Sequence, residues 1–242
     1  MTVPAAAALA LFIIVHLFVG KLRFLHGVPR SRWLSMAGGV AVAYVFLHVL
    51  PELGTHQNRV EAEVGAGLLE TEIYLMALLG LVSFYGLERH VRGSRAQMRA
   101  RGGEDHPEAG VFWLHIGSFS LYNLLIGYLL LHREETGIWS LALYAVAMAL
   151  HFVTNDYGLR EDYKSAYDRI ARWLLSGAVA AGWLLGLILT VSDIAVGLLF
   201  AFLSGGVVLN VLKEELPEER QSRFLPFLAG LTGYAAVLIM AG

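Results

Sequence analysis

Two long apolar stretches of this sequence carry side chains able to bind a cation. His115, Ser118, Tyr122 and Asn123 lie in GVFWLHIGSFSLYNLLIGYLLL, and His151, Thr154, Asn155 and Asp156 lie in IWSLALYAVAMALHFVTNDYG. The first three fall at i, i+3 and i+7. His151, Thr154 and Asn155 fall at i, i+3 and i+4, so each set shares one face of a helix. The chain has no cysteine, which excludes disulfides, thiolate ligands and cysteine nucleophiles and leaves His, carboxylate, amide and hydroxyl groups as metal donors. An ionisable group at the centre of a bilayer costs at least about 2.5 kcal/mol, so each one needs a partner or a ligand. The plainer use of each is a hydrogen bond between helices.

Two more constellations stand where apolar runs end. FLHVLPELGTH places His48 and Glu52 at i, i+4 with His56 just beyond, and LNVLKEELPEER carries Glu214 and Glu215. They are candidate entry and exit residues that would gather cations at a mouth. The alternative is an ordinary solvated helix end.

The elements that must position these groups are membrane helices. Of the 242 residues 57% are hydrophobic and 16% charged, against roughly 25% charged in a soluble domain. Spans of about 20 apolar residues, the length that crosses the hydrocarbon core, fall at 4–20, 33–51, 71–88, 111–131, 138–158, 171–191, 194–212 and 224–241. The expectation is an all-α, polytopic membrane protein of eight transmembrane helices in one domain over 1–242, with a cytoplasmic loop at about 91–110. All but two of the 18 Lys and Arg residues fall in the odd-numbered links; the exceptions are Arg59 and Arg133. The positive-inside rule then puts both termini outside. His115, Ser118 and His151 fall in the inner third of the membrane in this arrangement. Trp33, Trp113 and Trp173 stand at inner boundaries and Trp139 at an outer one, as an aromatic belt expects. The net charge of −2 gives nucleic acid no footing.

Three stretches resemble the ZIP family of divalent-metal transporters. SRWLSMAGGVAVAYVFLHVLPEL is similar to that family's second helix, LMALLGLVSFYGLERH to its third, and GGVVLNVLKEELPEER with the final apolar helix to its last two. The resemblance covers nearly the whole chain and implies a metal site between the fourth and fifth helices, a homodimer, and the same eight-span layout. Within HFVTNDYG, His151, Asp156 and Gly158 match the fifth-helix pattern, while Phe152, Thr154 and Asn155 replace its first acid, its proline and its second ligand. In the fourth helix Ser118, Phe119, Tyr122 and Asn123 stand where the family carries His-Asn and acid-Gly, and His115 lies one turn early.

The leading expectation is a transporter, not an enzyme, that moves a divalent cation such as Zn²⁺ toward the cytoplasm from the bacterial inner (plasma) membrane. The cation is cargo and not a cofactor. His151 would be the central ligand, supported by His115, Asn155 and Asp156. The alternative is a ZIP-fold homologue with a degenerate metal site that regulates a partner or carries another solute. A third class, an intramembrane metal-dependent hydrolase, would need three protein ligands, and the last three spans contain no histidine.

Overall fold

The computed structural model describes residues 2–22, 31–64, 71–102, 108–133, 137–215 and 223–241. Every regular element among them is a helix. Helix α1 is Thr2–Phe18, α2 is Arg32–Tyr44, α3 is Leu50–Val64 and α4 is Glu72–Ala100. Then come α5 (Ala109–Leu129), α6 (Ile138–Tyr163), α7 (Arg172–Ile188), α8 (Asp193–Glu215) and α9 (Phe224–Ala241).

The expected second span does not stop at residue 51. A π turn at Val45–Val49 joins α2 to α3, so the helix carries on to Val64. Pro51 gives the physical reason. A proline lacks the N–H of the regular ladder and its ring crowds the carbonyl four residues back. One extra residue in the preceding turn absorbs the conflict without ending the helix. Gln57 on α3 then holds the start of α4: its Oε1 accepts from Ile73 N at 3.0 Å, and its Nε2 donates to Glu72 at 3.2 Å. The loop expected at about 91–110 is helical as far as Ala100, and residues 103–107 lie outside the described residues.

Glycine decides which helices pair. A Cβ on Gly205 of α8 would lie 1.9 Å from the Ala77 carbonyl oxygen, and one on Gly80 of α4 would lie 2.0 Å from that of Phe202. The same reciprocal contact joins α2 to α9 through Gly39 and Gly230, and α5 to α7 through Gly127 and Gly182. Backbone thus rests on backbone in three pairs, the close approach that small residues permit between membrane helices. The fourth pair, α1 with α6, is made by side chains. Phe12 meets Phe152, His16 meets Asp156 and Gly20 faces Arg160, a constant offset of 140 residues.

All four pairs run parallel. On α2 and α9, Ser35 accepts from Arg223 N and Gly39 meets Phe227. On α4 and α8, Gly80 meets Phe202 and Glu88 meets Lys213. On α5 and α7, Leu124 meets Gly182 and Tyr128 reaches Leu189. The C-terminal ends of α1, α4, α6 and α8 consequently gather at one end of the bundle with the starts of α2, α5, α7 and α9. Arg95–Asp162, Lys213–Glu88 and Arg101–Glu108 ion pairs tie that basic end together.

Six stretches are long and apolar enough to cross a bilayer, namely Val3–Lys21, Arg32–Glu63, Ala109–Leu129, Ile138–Tyr163, Tyr167–Ile188 and Asp193–Lys213. The other two expected spans are shorter. In α4 the apolar run lies between Glu72 and Glu88, which is about 22 Å of helix against a core of about 30 Å. The apolar part of α9 is Phe224–Met240. Both nevertheless present large apolar side chains outward, Leu75, Leu78 and Val82 on α4 and Leu225, Val237 and Ile239 on α9. Trp33, Trp113, Trp139 and Trp173 are likewise exposed.

Because the Gly205 contact is backbone to backbone, Gly205→Ala is expected to destabilise the protein by about 3 kcal/mol through overpacking. Gly177, with nothing within 4 Å of an added Cβ, should accept alanine without loss. Thermal unfolding of both variants in detergent checks the contrast; equal midpoints would remove glycine packing as the determinant.

Candidate functional site

Asp156 is the centre of the polar core. It is fully buried on α6, and so is His16, which α1 presents to it through the register just described. Asp156 Oδ2 lies 2.6 Å from His16 Nδ1 and accepts from the Tyr167 hydroxyl at 2.8 Å. The other face of the imidazole meets α5, where His16 Nε2 lies 2.9 Å from Asn123 Oδ1. Asn123 Nδ2 donates to the Phe119 carbonyl at 2.8 Å, which fixes the amide with its oxygen toward the ring. His16 Nε2 is therefore a donor. Nδ1 and Oδ2 make the ring's other hydrogen bond. A hydrogen-bonded imidazole–carboxylate pair is the form in which two ionisable groups can share an apolar interior.

This network joins three helices. Its members come from α1, α5, α6 and the π turn Tyr167–Ala171. Phe152 packs on the His16 ring at 4.6 Å between centroids. Asp156 Oδ1 and Asn155 Nδ2 are buried without a hydrogen-bond partner.

The other candidate ligands are distributed along the same seam. His151 Nε2 is hydrogen-bonded to the Tyr122 hydroxyl at 3.0 Å, and His115 Nδ1 to the Tyr163 hydroxyl at 2.7 Å. Asn155 is buried beside Asp156. Thus the structure brings Tyr122 to His151 and Asn123, through His16, to Asp156. It gives His115 a tyrosine partner of its own. Ser118 faces away from this core. Its hydroxyl donates to Leu114 O of its own helix at 2.9 Å, and its side chain lines a groove between α4 and α5. Among the described residues no group of three His, Asp or Glu side chains is drawn close enough to hold a metal ion.

At the end of the bundle opposite the cross-helix ion pairs, a cavity of about 50 Å³ opens between α2–α3, α5, α6 and α8, with Arg133 in its lining. That is room for a few water-sized groups. His48, Glu52, His56 and His132 line it, with Tyr44 and Tyr144 toward the core. His48 Nε2 and Glu52 Oε2 are 3.3 Å apart, the i, i+4 pair that the spacing implied. The side chains of Glu214 and Glu215, at the opposite end, lie outside the described residues.

Sequence reasoning passed over His16 and Tyr167. The signal for His16 was present: one ionisable residue in the apolar run ALALFIIVHLF is the kind of residue a membrane helix keeps only with a partner. Tyr167 gave none, because it stands among charged residues in a link.

The apolar helices and their buried polar seam are compatible with an integral membrane protein. Compared with known proteins, the sequence matches no family model and no curated relative.

His16→Leu would leave Asp156 buried with only Tyr167 on its bonded oxygen, and stability should fall by about 3–5 kcal/mol. The double variant His16→Leu with Asp156→Leu should recover most of that loss, since it removes both members of the pair. Unfolding midpoints of the single and double variants measure the coupling, and simple additivity would show that the two residues act independently.

Proposed function

We propose that the chain is a multi-pass membrane transporter for a divalent cation such as Zn²⁺, with eight spans and both termini outside. Helices α4 and α9 are the two additional spans. Each is locked parallel to a longer one, α8 and α2, and spans that share a direction must be separated by an odd number of crossings, which an eight-span count satisfies for all four pairs. The one-sided gathering of arginine supports the orientation through the positive-inside rule.

The observation that carries the transport reading is the cavity holding His48, Glu52, His56 and His132. It is enclosed by the second, fourth, fifth and seventh spans, and beneath it lies the buried seam of Tyr122, His151 and Asp156. Imidazole and carboxylate at a mouth attract a divalent cation and offer it donors of the right kind. Asp156 supports the same reading, because its Oδ1 has no hydrogen-bond partner and a cation would complete it. In this conformation the seam is closed by its own hydrogen bonds. Passage requires Tyr122 to release His151, which then serves as the central ligand, with His115, Asn155 and Asp156 along the way to the basic end. The resemblance to the ZIP family gives the same class of cargo.

A second reading is a protein of the same scaffold that no longer carries metal, acting as a partner subunit or passing another solute. The mutual pairing of His151 with Tyr122 and His115 with Tyr163 favours it. The two readings separate by calorimetry on the purified protein: no heat with Zn²⁺, Fe²⁺ or Mn²⁺ at micromolar concentrations selects the second.

For the transporter, His151→Ala should reduce Zn²⁺ uptake into proteoliposomes by about tenfold or more, the least that loss of a ligand is expected to cost. Uptake at the unaltered rate would remove His151 from the path.

A further inference from the structure

From the seam between α4 and α5 we infer that the protein holds one anionic phospholipid there, its acyl chain at membrane depth and its phosphate against Arg89 and His90. The inference rests on reading α4 and α5 as membrane spans. Helix α4 packs chiefly on α8 and α5 chiefly on α7, which leaves the α4–α5 seam open along its length. An apolar groove of about 500 Å³ lies in it, floored by Phe84, Tyr122 and Phe202 and walled by Leu87, Leu114 and Leu121. A second groove of about 400 Å³, lined by Arg89, Ser94, Gln97 and Glu108, continues it toward the basic end. Gly86 and His90 line both, so the two form one trough that is apolar at one end and polar at the other.

The charge at the polar end fits an anion. Arg92, Arg95 and Arg101 are each engaged by a carboxylate, Glu88, Asp162 and Glu108 respectively. The one carboxylate in the trough, Glu108, is thereby offset by Arg101. Arg89, one turn from Gly86, has no ion-pair partner among the described residues and supplies the net positive charge. Glycine keeps the trough clear: Gly86 and Gly93, seven residues apart on one face of α4, have nothing within 4 Å of an added Cβ. Close helix packing does not account for them, in contrast to Gly80 on the same helix. A free phosphate would leave the apolar half empty and a zwitterionic lipid would leave the Arg89 charge unmatched. A lipid with a net negative headgroup satisfies both halves.

The test reconstitutes the full chain in vesicles of equal phosphatidylglycerol and phosphatidylcholine, extracts it in mild detergent, and identifies retained lipid by native mass spectrometry. The expected result is a preference of about fivefold for phosphatidylglycerol, the worth of one arginine at a membrane surface. Arg89→Ala should retain lipid without preference. Gly86→Phe should lose the retained lipid, and an unchanged melting temperature would show that it still folds; Gly93→Phe, which fills the polar half, serves if it does not. Equal retention of the two lipids by the unaltered protein overturns the inference, as does undiminished retention by both folded glycine variants. A chain that stays monodisperse without detergent and ignores the vesicles overturns instead the membrane reading beneath it.

Discussion

Three contacts of backbone on backbone decide how this bundle is assembled. Between apolar helices in an apolar solvent there is little hydrophobic gain from association, so close van der Waals packing has to supply it. Gly39 with Gly230, Gly80 with Gly205 and Gly127 with Gly182 bring three pairs of helices near enough for that. Once those pairs are fixed as parallel, the succession of elements along the chain must alternate, and the basic ends of α1, α4, α6 and α8 are brought to one side. In α1 and α6 a buried imidazole–carboxylate pair takes the place of glycine.

The two ends of the molecule then differ in kind. At the basic end, charge is met by charge across helices: Lys213 donates to Glu88 at 3.0 Å, and Arg160 holds Asp168 through two hydrogen bonds. The mostly buried Lys213–Glu88 pair holds α8 against α4, and Arg160 with Asp168 holds α6 against the turn that precedes α7. At the other end imidazole, carboxylate and the Arg133 guanidinium surround open space. Between them the core is polar, with His115 and His151 each bonded to a tyrosine and His16 to Asp156 and Asn123.

Much of this was legible in the sequence. The apolar runs located every helix but α3, and the i, i+4 spacing of His48 and Glu52 survives as a contact of 3.3 Å. The polar groups concentrated in the fourth and fifth apolar stretches marked the seam, where His115, Tyr122, Asn123, His151, Thr154, Asn155 and Asp156 are buried and Ser118 is not. What spacing cannot give is the rotation of one helix against another. Nothing local says that Asn123 turns to His16, 107 residues away, while Ser118 on the same helix turns out. The continuation of the second span past Pro51 was also hidden, because the usual cost of an interior proline reads as a stop and the remedy lies in the turn before it. The fixed partner of Asp156 was missed for a simpler reason: a single histidine in an otherwise featureless helix has no neighbour in sequence to draw attention to it.

That remedy has a mechanical side. The segment from Arg32 to Val64 is anchored at both ends, by Gly39 on α9 and by Gln57 on the start of α4. Between the anchors, the turn Val45–Val49 holds one residue more than regular winding needs. The segment therefore behaves as a shaft with slack in its middle. If the extra residue moves along by one hydrogen bond, the side chain it passes swings by about 100° around the axis while neither anchor shifts. His48 sits in that turn and lines the cavity, stacked on Tyr44 and paired with Glu52, so its bearing toward the interior is set by the winding of the backbone.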